Sequence, residues 1–135
     1  MEKIQQVSIK GLLCRDNKVL LLKTTKRKRW EFPGGRMNFG ENVEQTFKRE
    51  VEEELGFKKM EMGKLINTWS FTNIRENINY HFIVFDFEFF TDKSKIKLSD
   101  EHTEYKWIGK DDFEEKNMHE GHKESLRKYF YKLQK

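Results

Sequence analysis

The chain has 135 residues, with 27 basic and 23 acidic side chains and a net charge of +4. Twelve Phe, four Tyr and three Trp exclude a disordered polar chain, and the lone Cys14 excludes an internal disulfide framework. No apolar run approaches the roughly 20 residues that span a bilayer, and Met1 to Gln6 carry no apolar signal region, so a cytoplasmic protein without a membrane partner is expected. No Gly/Ser-rich or Pro-rich stretch divides the chain, which reads as one domain over 1–135. The basic surplus favours anionic partners without choosing among them.

Ile4 to Cys14 suits a strand, Arg15 to Lys18 a turn, and Val19 to Leu22 a short buried strand, together a hairpin. Lys26 to Arg29 follows as an exposed basic loop. Pro33-Gly34-Gly35 then breaks regular structure and permits positive φ. A helix is predicted over 42–55: Asn42 can cap it, Gln45 completes a capping box, and Gly56 stops it. Val43, Phe47, Val51 and Leu55 form its apolar stripe. Lys64 to Thr72 reads as a strand, Asn73 to Asn77 as a turn, and Ile78 to Phe90 as a second strand. In that strand Ile83, Phe85, Phe87 and Phe89 share one parity, which predicts a dry face, with Asp86 and Glu88 on a wet one. Tyr105 to Ile108 reads as a strand, Asp111 to Glu114 as the start of a short helix, and 122–133 as a closing amphipathic helix with Leu126, Phe130 and Leu133 inward. This order gives an α+β domain with a mixed sheet.

Glu50, Glu53 and Glu54 stand at i, i+3 and i+4, so they share one helix face beside the apolar stripe. Like charges at this spacing repel, and hard divalent cations such as Mg²⁺ or Mn²⁺ would relieve the repulsion with oxygen ligands. In isolation, the same pattern also fits a solvated glutamate-rich helix face.

The wider context is more specific. From Gly35 the chain gives five residues, Glu41, seven residues, and then Arg49-Glu50-Val51-Glu52-Glu53-Glu54-Leu55-Gly56-Phe57. Residues 35–57 resemble, position by position, the box of the Nudix hydrolase superfamily; Phe57 stands where the family often has an aliphatic residue. Trp30 to Gly35 looks like the usual lead-in. The resemblance implies the Nudix fold, an α/β/α sandwich with a central mixed β-sheet and the box helix on one face. It implies hydrolysis of a nucleoside diphosphate linked to another group X, with Mg²⁺ (or Mn²⁺) as cofactor. Glu50, Glu53, Glu54 and the carbonyl of Gly35 would hold metal. Arg49 would pair with a carboxylate such as Glu53, and Glu41 would anchor the loop. Catalytic roles fall to Glu53, Glu50 and Arg49, and the general base to Glu101 on the loop 99–104 ahead of Glu104, with a box carboxylate as the alternative.

Among substrate-binding candidates, Arg27 in the basic loop could steer polyphosphate, and Trp30 or Phe82 could stack on a base; Phe71 and Trp107 are further aromatic options. The ADP-ribose group of the family carries a downstream proline, absent here after Pro33. The diadenosine-polyphosphate group tends to have a tyrosine where this chain has Asn73 and Ile74. These missing marks leave a MutT-like (d)NTP pyrophosphohydrolase, releasing a nucleoside monophosphate and pyrophosphate. A nucleotide sugar, a dinucleotide polyphosphate, an RNA 5′ end and a non-catalytic nucleotide-binding module stay open. His102, His119 and His122 lack zinc-ligand spacing. Cys14 reads as a small core residue. No recognised nucleic-acid motif is present, so nucleic acid is not an expected partner; a monomer or homodimer is expected.

Overall fold

The computed structural model of the chain describes residues 1–92 and 95–131. Seven strands and two helices follow in the order β1 (Glu2–Arg15), β2 (Lys18–Thr24), β3 (Trp30–Glu31), β4 (Gly34–Arg36), α1 (Val43–Leu55), β5 (Glu61–Arg75), β6 (Ile78–Phe90), β7 (His102–Ile108) and α2 (Glu120–Tyr131). The main path of the sheet runs β3-β2-β1-β6-β5, with β4 also paired to β1 and β7 to β2. β1 and β6 are parallel in unbroken register from Glu2↔Ile78 to Cys14↔Phe90. The other pairings are antiparallel, so the sheet is mixed.

Two tight turns shape this sheet. Asp16-Asn17 closes β1 onto β2, and Glu76-Asn77 closes β5 onto β6; all four residues have φ between 51° and 64°. Asp16, Asn17 and Asn77 tolerate this left-handed region, and Glu76 adopts it with Asn77 because it matches the twist of two-residue hairpins. The second turn is shorter than the five-residue one expected. Asn73, Ile74 and Arg75 pair with Tyr80, Asn79 and Ile78 and so extend the ladder.

Alternation along β1 and β2 divides the core. Ile9, Leu13, Leu20 and Leu22 face α1, where Phe47, Val51 and Leu55 pack with Phe89. Leu12, Cys14, Val19 and Leu21 face the other way, toward Leu126 of α2, Phe32, Phe113 and Ile108. The helices therefore cover opposite faces, which is the α/β/α sandwich expected. α1 begins with the capping box: Asn42 Oδ1 accepts from the Gln45 N–H at 2.8 Å, and Gln45 Oε1 accepts from the Asn42 N–H at 2.9 Å. It ends at Gly56, with φ of 82°.

Two expectations change, and a third falls outside the described residues. Asp86 is fully buried, and Phe82 and Val84 on its side of β6 are buried too. That face is dry because α2 packs over it and supplies hydrogen bonds to the carboxylate. Asp111 to Glu114 forms turns instead of a helix; the Asp112 side chain accepts from the Gly109 N–H at 3.2 Å and closes the chain locally. α2 is described to Tyr131, so the inward role expected of Leu133 lies outside the described residues.

Replacing Asn42 by Ala should lower stability by about 1 kcal/mol, read as a reduced denaturant midpoint with unchanged slope; Asn42→Asp should stay close to the parent.

Candidate active site

The turn between β3 and β4 is built on close backbone approach. Gly34 has φ of 126°, and any Cβ there would overlap the Ile9 carbonyl oxygen of β1. A Cβ on Gly35 would lie 2.5 Å from Glu50 Oε1. Two glycines thus let a bare backbone pass between β1 and the carboxylates of α1.

Those carboxylates occupy three environments. Glu54 is 3% exposed, and its Oε1 accepts from the Gly34 N–H at 2.9 Å. Burial raises its pKa to about 8, against the attraction of Lys10. The Glu50 side chain is 17% exposed and meets Arg49 at 2.7 Å. The Glu53 side chain is 62% exposed, with Arg49 at 3.6 Å. Arg49 binds Glu41 more closely: Nε reaches Oε2 at 2.7 Å and Nη2 reaches Oε1 at 3.0 Å. It also donates to the Arg36 carbonyl at 2.8 Å. The partner expected for Arg49, Glu53, is therefore the most distant of the three. Its tight bonds fix Glu50 and the loop that Glu41 anchors. The hydrogen bonds from Arg49 hold the Glu41 carboxyl down at about 2.

Behind this face lies a second charged group. Glu31, Glu54 and His102 bring ligand atoms within 4.8 Å of one another. Lys10 stands beside them, 3.7 Å from Glu31 Oε1, and donates at 3.2 Å to the carbonyls of Phe32 and Gly34. His102 Nε2 lies 2.9 Å from Glu31 Oε2. Burial would raise the Glu31 pKa, but Lys10 and His102 outweigh it and hold the carboxyl at about 2. Zinc-ligand spacing in the sequence could not reveal this group, since its members come from three separate segments.

A cavity of about 660 Å³ opens from Gly35, Glu31 and His102. Lys26, Arg27, Arg29, Arg36 and Arg75 line it, against Asp100 and Glu101 on its acidic side. Its aromatic wall comes from Trp69, Phe71 and Phe82, with ring centroids 5.4 and 5.2 Å apart in that order. His119 lies 4.3 Å from Trp69. Trp69 is held from behind: its Nε1 donates to Asp86 Oδ2 at 2.9 Å, and Ser125 Oγ donates to the same oxygen at 2.5 Å. The indole lies so close to the Gly121 backbone that a Cβ there would overlap its ring.

Of the residues expected from sequence, the cavity brings together Gly35, Arg27, Trp30, Phe82, Phe71 and Glu101. Lys116 sits over the Trp30 ring at 4.8 Å and occupies one of its faces. Glu104 pairs instead with Lys23 at 3.4 Å, and Trp107 packs into the α1 side of the core. Trp69, Arg36, Arg75 and His119 were not expected. Trp69 and Phe71 share strand parity, which was the available signal; that α2 would bring His119 onto them was not legible locally.

The sequence matches the NUDIX domain family over residues 5–129, and the chain belongs to that family. Within it the fold is similar to the MutT protein from Methanosarcina mazei Go1, with a TM-score of 0.79 and 25% identity over 100% of this chain and 99% of that one. It is also similar to a MutT protein from Bacillus halodurans, with a TM-score of 0.72 and 28% identity over 93% of this chain and 82% of that one. A stretch of 52 residues is 40% identical to the 8-oxo-dGTP diphosphatase of Buchnera aphidicola subsp. Schizaphis graminum; it spans 36% of this chain and 40% of that protein.

Glu54 makes the metal-free protein pH-sensitive. Its carboxyl keeps a proton up to about pH 8 in the fold, against an ordinary value of 4.5. Between those values the folded state binds more protons than the unfolded, so stability from this group falls as pH rises. In thermal melts with chelator, Glu54→Gln should match the parent at pH 4 and exceed its Tm at pH 9. An equal fall with pH in both proteins would contradict this assignment.

Proposed function

We propose that this protein is a divalent-metal-dependent pyrophosphohydrolase that cleaves a (d)NTP to a nucleoside monophosphate and pyrophosphate, with the chain acting as one domain. The observation that carries the reading is the continuous cavity joining the Gly35 turn to a cationic rim and an aromatic wall. A nucleoside triphosphate has matching parts: phosphates for the arginines and a flat base for the rings.

A hard cation such as Mg²⁺ or Mn²⁺ fits the donors at this turn. The set is all oxygen, from Glu50, Glu53, Glu54 and the Gly35 carbonyl. The absence of a Cβ at Gly35 leaves its backbone open beside Glu50. When bound, the cation supplies neutralisation of phosphate charge and a lowered pKa for water. The chain's residues do the rest. Arg49 orients Glu50 and ties Glu41 to the Arg36 carbonyl. Arg27, Arg29, Arg36 and Arg75 bind the polyphosphate, while Trp69, Phe71 and Phe82 hold the base. Glu101, exposed on the cavity rim, takes a proton from the attacking water. The new phosphorus–oxygen bond forms from that water, the phosphoanhydride bond breaks, and pyrophosphate leaves.

The relative named 8-oxo-dGTP diphosphatase puts 8-oxo-dGTP first in a panel that includes ordinary (d)NTPs, nucleotide sugars, dinucleoside polyphosphates and triphosphorylated RNA. With Mg²⁺ a nucleoside triphosphate should give the highest kcat/KM, with a monophosphate and pyrophosphate as products. Glu53→Gln should lower kcat by roughly a hundredfold or more, and chelator should abolish turnover. Full activity in that variant or in chelator would refute the mechanism; preference for another member of the panel would refute the substrate.

Trp69→Ala should raise KM for the preferred nucleotide by roughly tenfold, since stacking of one base is worth about 1–3 kcal/mol. Initial-rate kinetics will separate this from kcat, which should change far less.

A further inference from the structure

Glu31 has two well-placed partners, one on each carboxylate oxygen. Lys10 of β1 approaches Oε1 at 3.7 Å, and His102, the first residue of β7, approaches Oε2 at 2.9 Å. An ionised carboxylate can only accept, so His102 donates from Nε2. No described residue pairs with the buried His102 Nδ1, so Glu31 is the side-chain anchor of that imidazole. The Lys10 ammonium also binds the carbonyls of Phe32 and Gly34. One chain of hydrogen bonds and an ion pair thus runs from the residue next to Glu101 to the residue next to Gly35.

The loop that carries Glu101 has a second tether. The Thr25 N–H donates to the Glu101 carbonyl at 2.9 Å, and Thr25 Oγ1 donates to the Asp100 carbonyl at 2.8 Å. These bonds fix the loop's backbone to the end of β2. They do not reach the glycine turn; the Ser99 N–H donates to the Glu54 carbonyl at 3.2 Å and ties the start of the loop to α1, and the His102–Glu31–Lys10 chain links its end to the turn. The same chain accounts for the metal-like spacing of Glu31, Glu54 and His102: both oxygens of Glu31 are engaged, and the lysine provides a resident positive charge.

We propose that His102, Glu31 and Lys10 are positioning residues that set Glu101 against the Gly34-Gly35 turn, bringing the proton acceptor and the metal-binding backbone into one geometry. The proposal rests on the reading of Glu101 as the general base. It assigns these three residues an effect on turnover without contact with the reacting atoms. Groups of this kind, acting through the residues they orient, change activity by about 10–100-fold.

The test uses the full-length protein with the nucleotide it cleaves fastest. His102→Leu should lower kcat by about tenfold or more and leave KM within about twofold. His102→Gln, whose amide replaces the Nε2 donor, should recover most of the loss. In a double-mutant cycle, His102→Leu should add little once Glu101→Gln is present, because both act through one group. In metal-free protein, amide exchange at 99–103 should speed up in His102→Leu and return toward the parent rate in His102→Gln. Lys10→Met provides a second break in the same chain and should give the same kcat loss if His102→Leu does not fold. Unchanged kcat in the folded variants, or full additivity with Glu101→Gln, overturns the proposal. If Glu101→Gln alone is fully active, the general-base reading fails; the exchange data still report whether the chain orders the loop.

Discussion

The site depends on the approach of a bare backbone to a strand. With Gly34 at φ of 126°, the chain lies against the Ile9 carbonyl where no side chain fits. From that contact three things follow. β4 pairs with β1 in register, Lys10 opposite Gly34. The Gly34 N–H is delivered to Glu54. Gly35 is left with no atom between its backbone and Glu50. Any residue with a Cβ at 34 would push the turn off β1 and separate the carbonyls from the carboxylates. The helix supplies the acids, but the glycine pair decides what they face.

Charge in this region is balanced unevenly. One guanidinium, Arg49, serves Glu41 and Glu50 at hydrogen-bond distance and Glu53 at longer range. Glu54 answers its burial by keeping its proton instead of finding a cation. Glu31 takes the opposite course and stays ionised, because Lys10 and His102 stand against it. The α1 face is therefore short of positive charge, while the cavity in front of it has an excess. On the function proposed above, a polyphosphate carrying a divalent cation would complement both halves at once, the cation at the acids and the phosphate oxygens at the arginines.

Legibility from sequence followed locality. The capping box, the Gly56 stop and the stripe through Phe47, Val51 and Leu55 are each set within a few residues, and the helix formed where they placed it. The box spacing pointed to the carboxylates for the same reason. The parity of β6 misled because it counts only the strand's own side chains. Asp86 sits on the face that α2 later covers, and its burial is offset by Trp69, Ser125 and His122, which lie 17 to 39 residues away. Glu31 was visible only as part of a familiar lead-in; its partners Lys10 and His102 lie 21 and 71 residues away in sequence.

This division by distance also separates two tasks. The acids, the glycine turn and Arg49 all belong to one continuous segment, which leans on β1 through Ile9 and Lys10. The aromatic wall is assembled from β5, β6 and α2, which meet only in the finished fold. Trp69 shows the dependence: its nitrogen is held by Asp86 of β6, Asp86 is held by Ser125 of α2, and its ring lies on Gly121 of the same helix. A shift of α2 would move the wall and leave the glutamates in place. The aromatic wall can therefore diverge through the β5–α2 contact while the carboxylate helix keeps its arrangement. Both parts share the β1–β6 ladder, which is in register from Glu2↔Ile78 to Cys14↔Phe90.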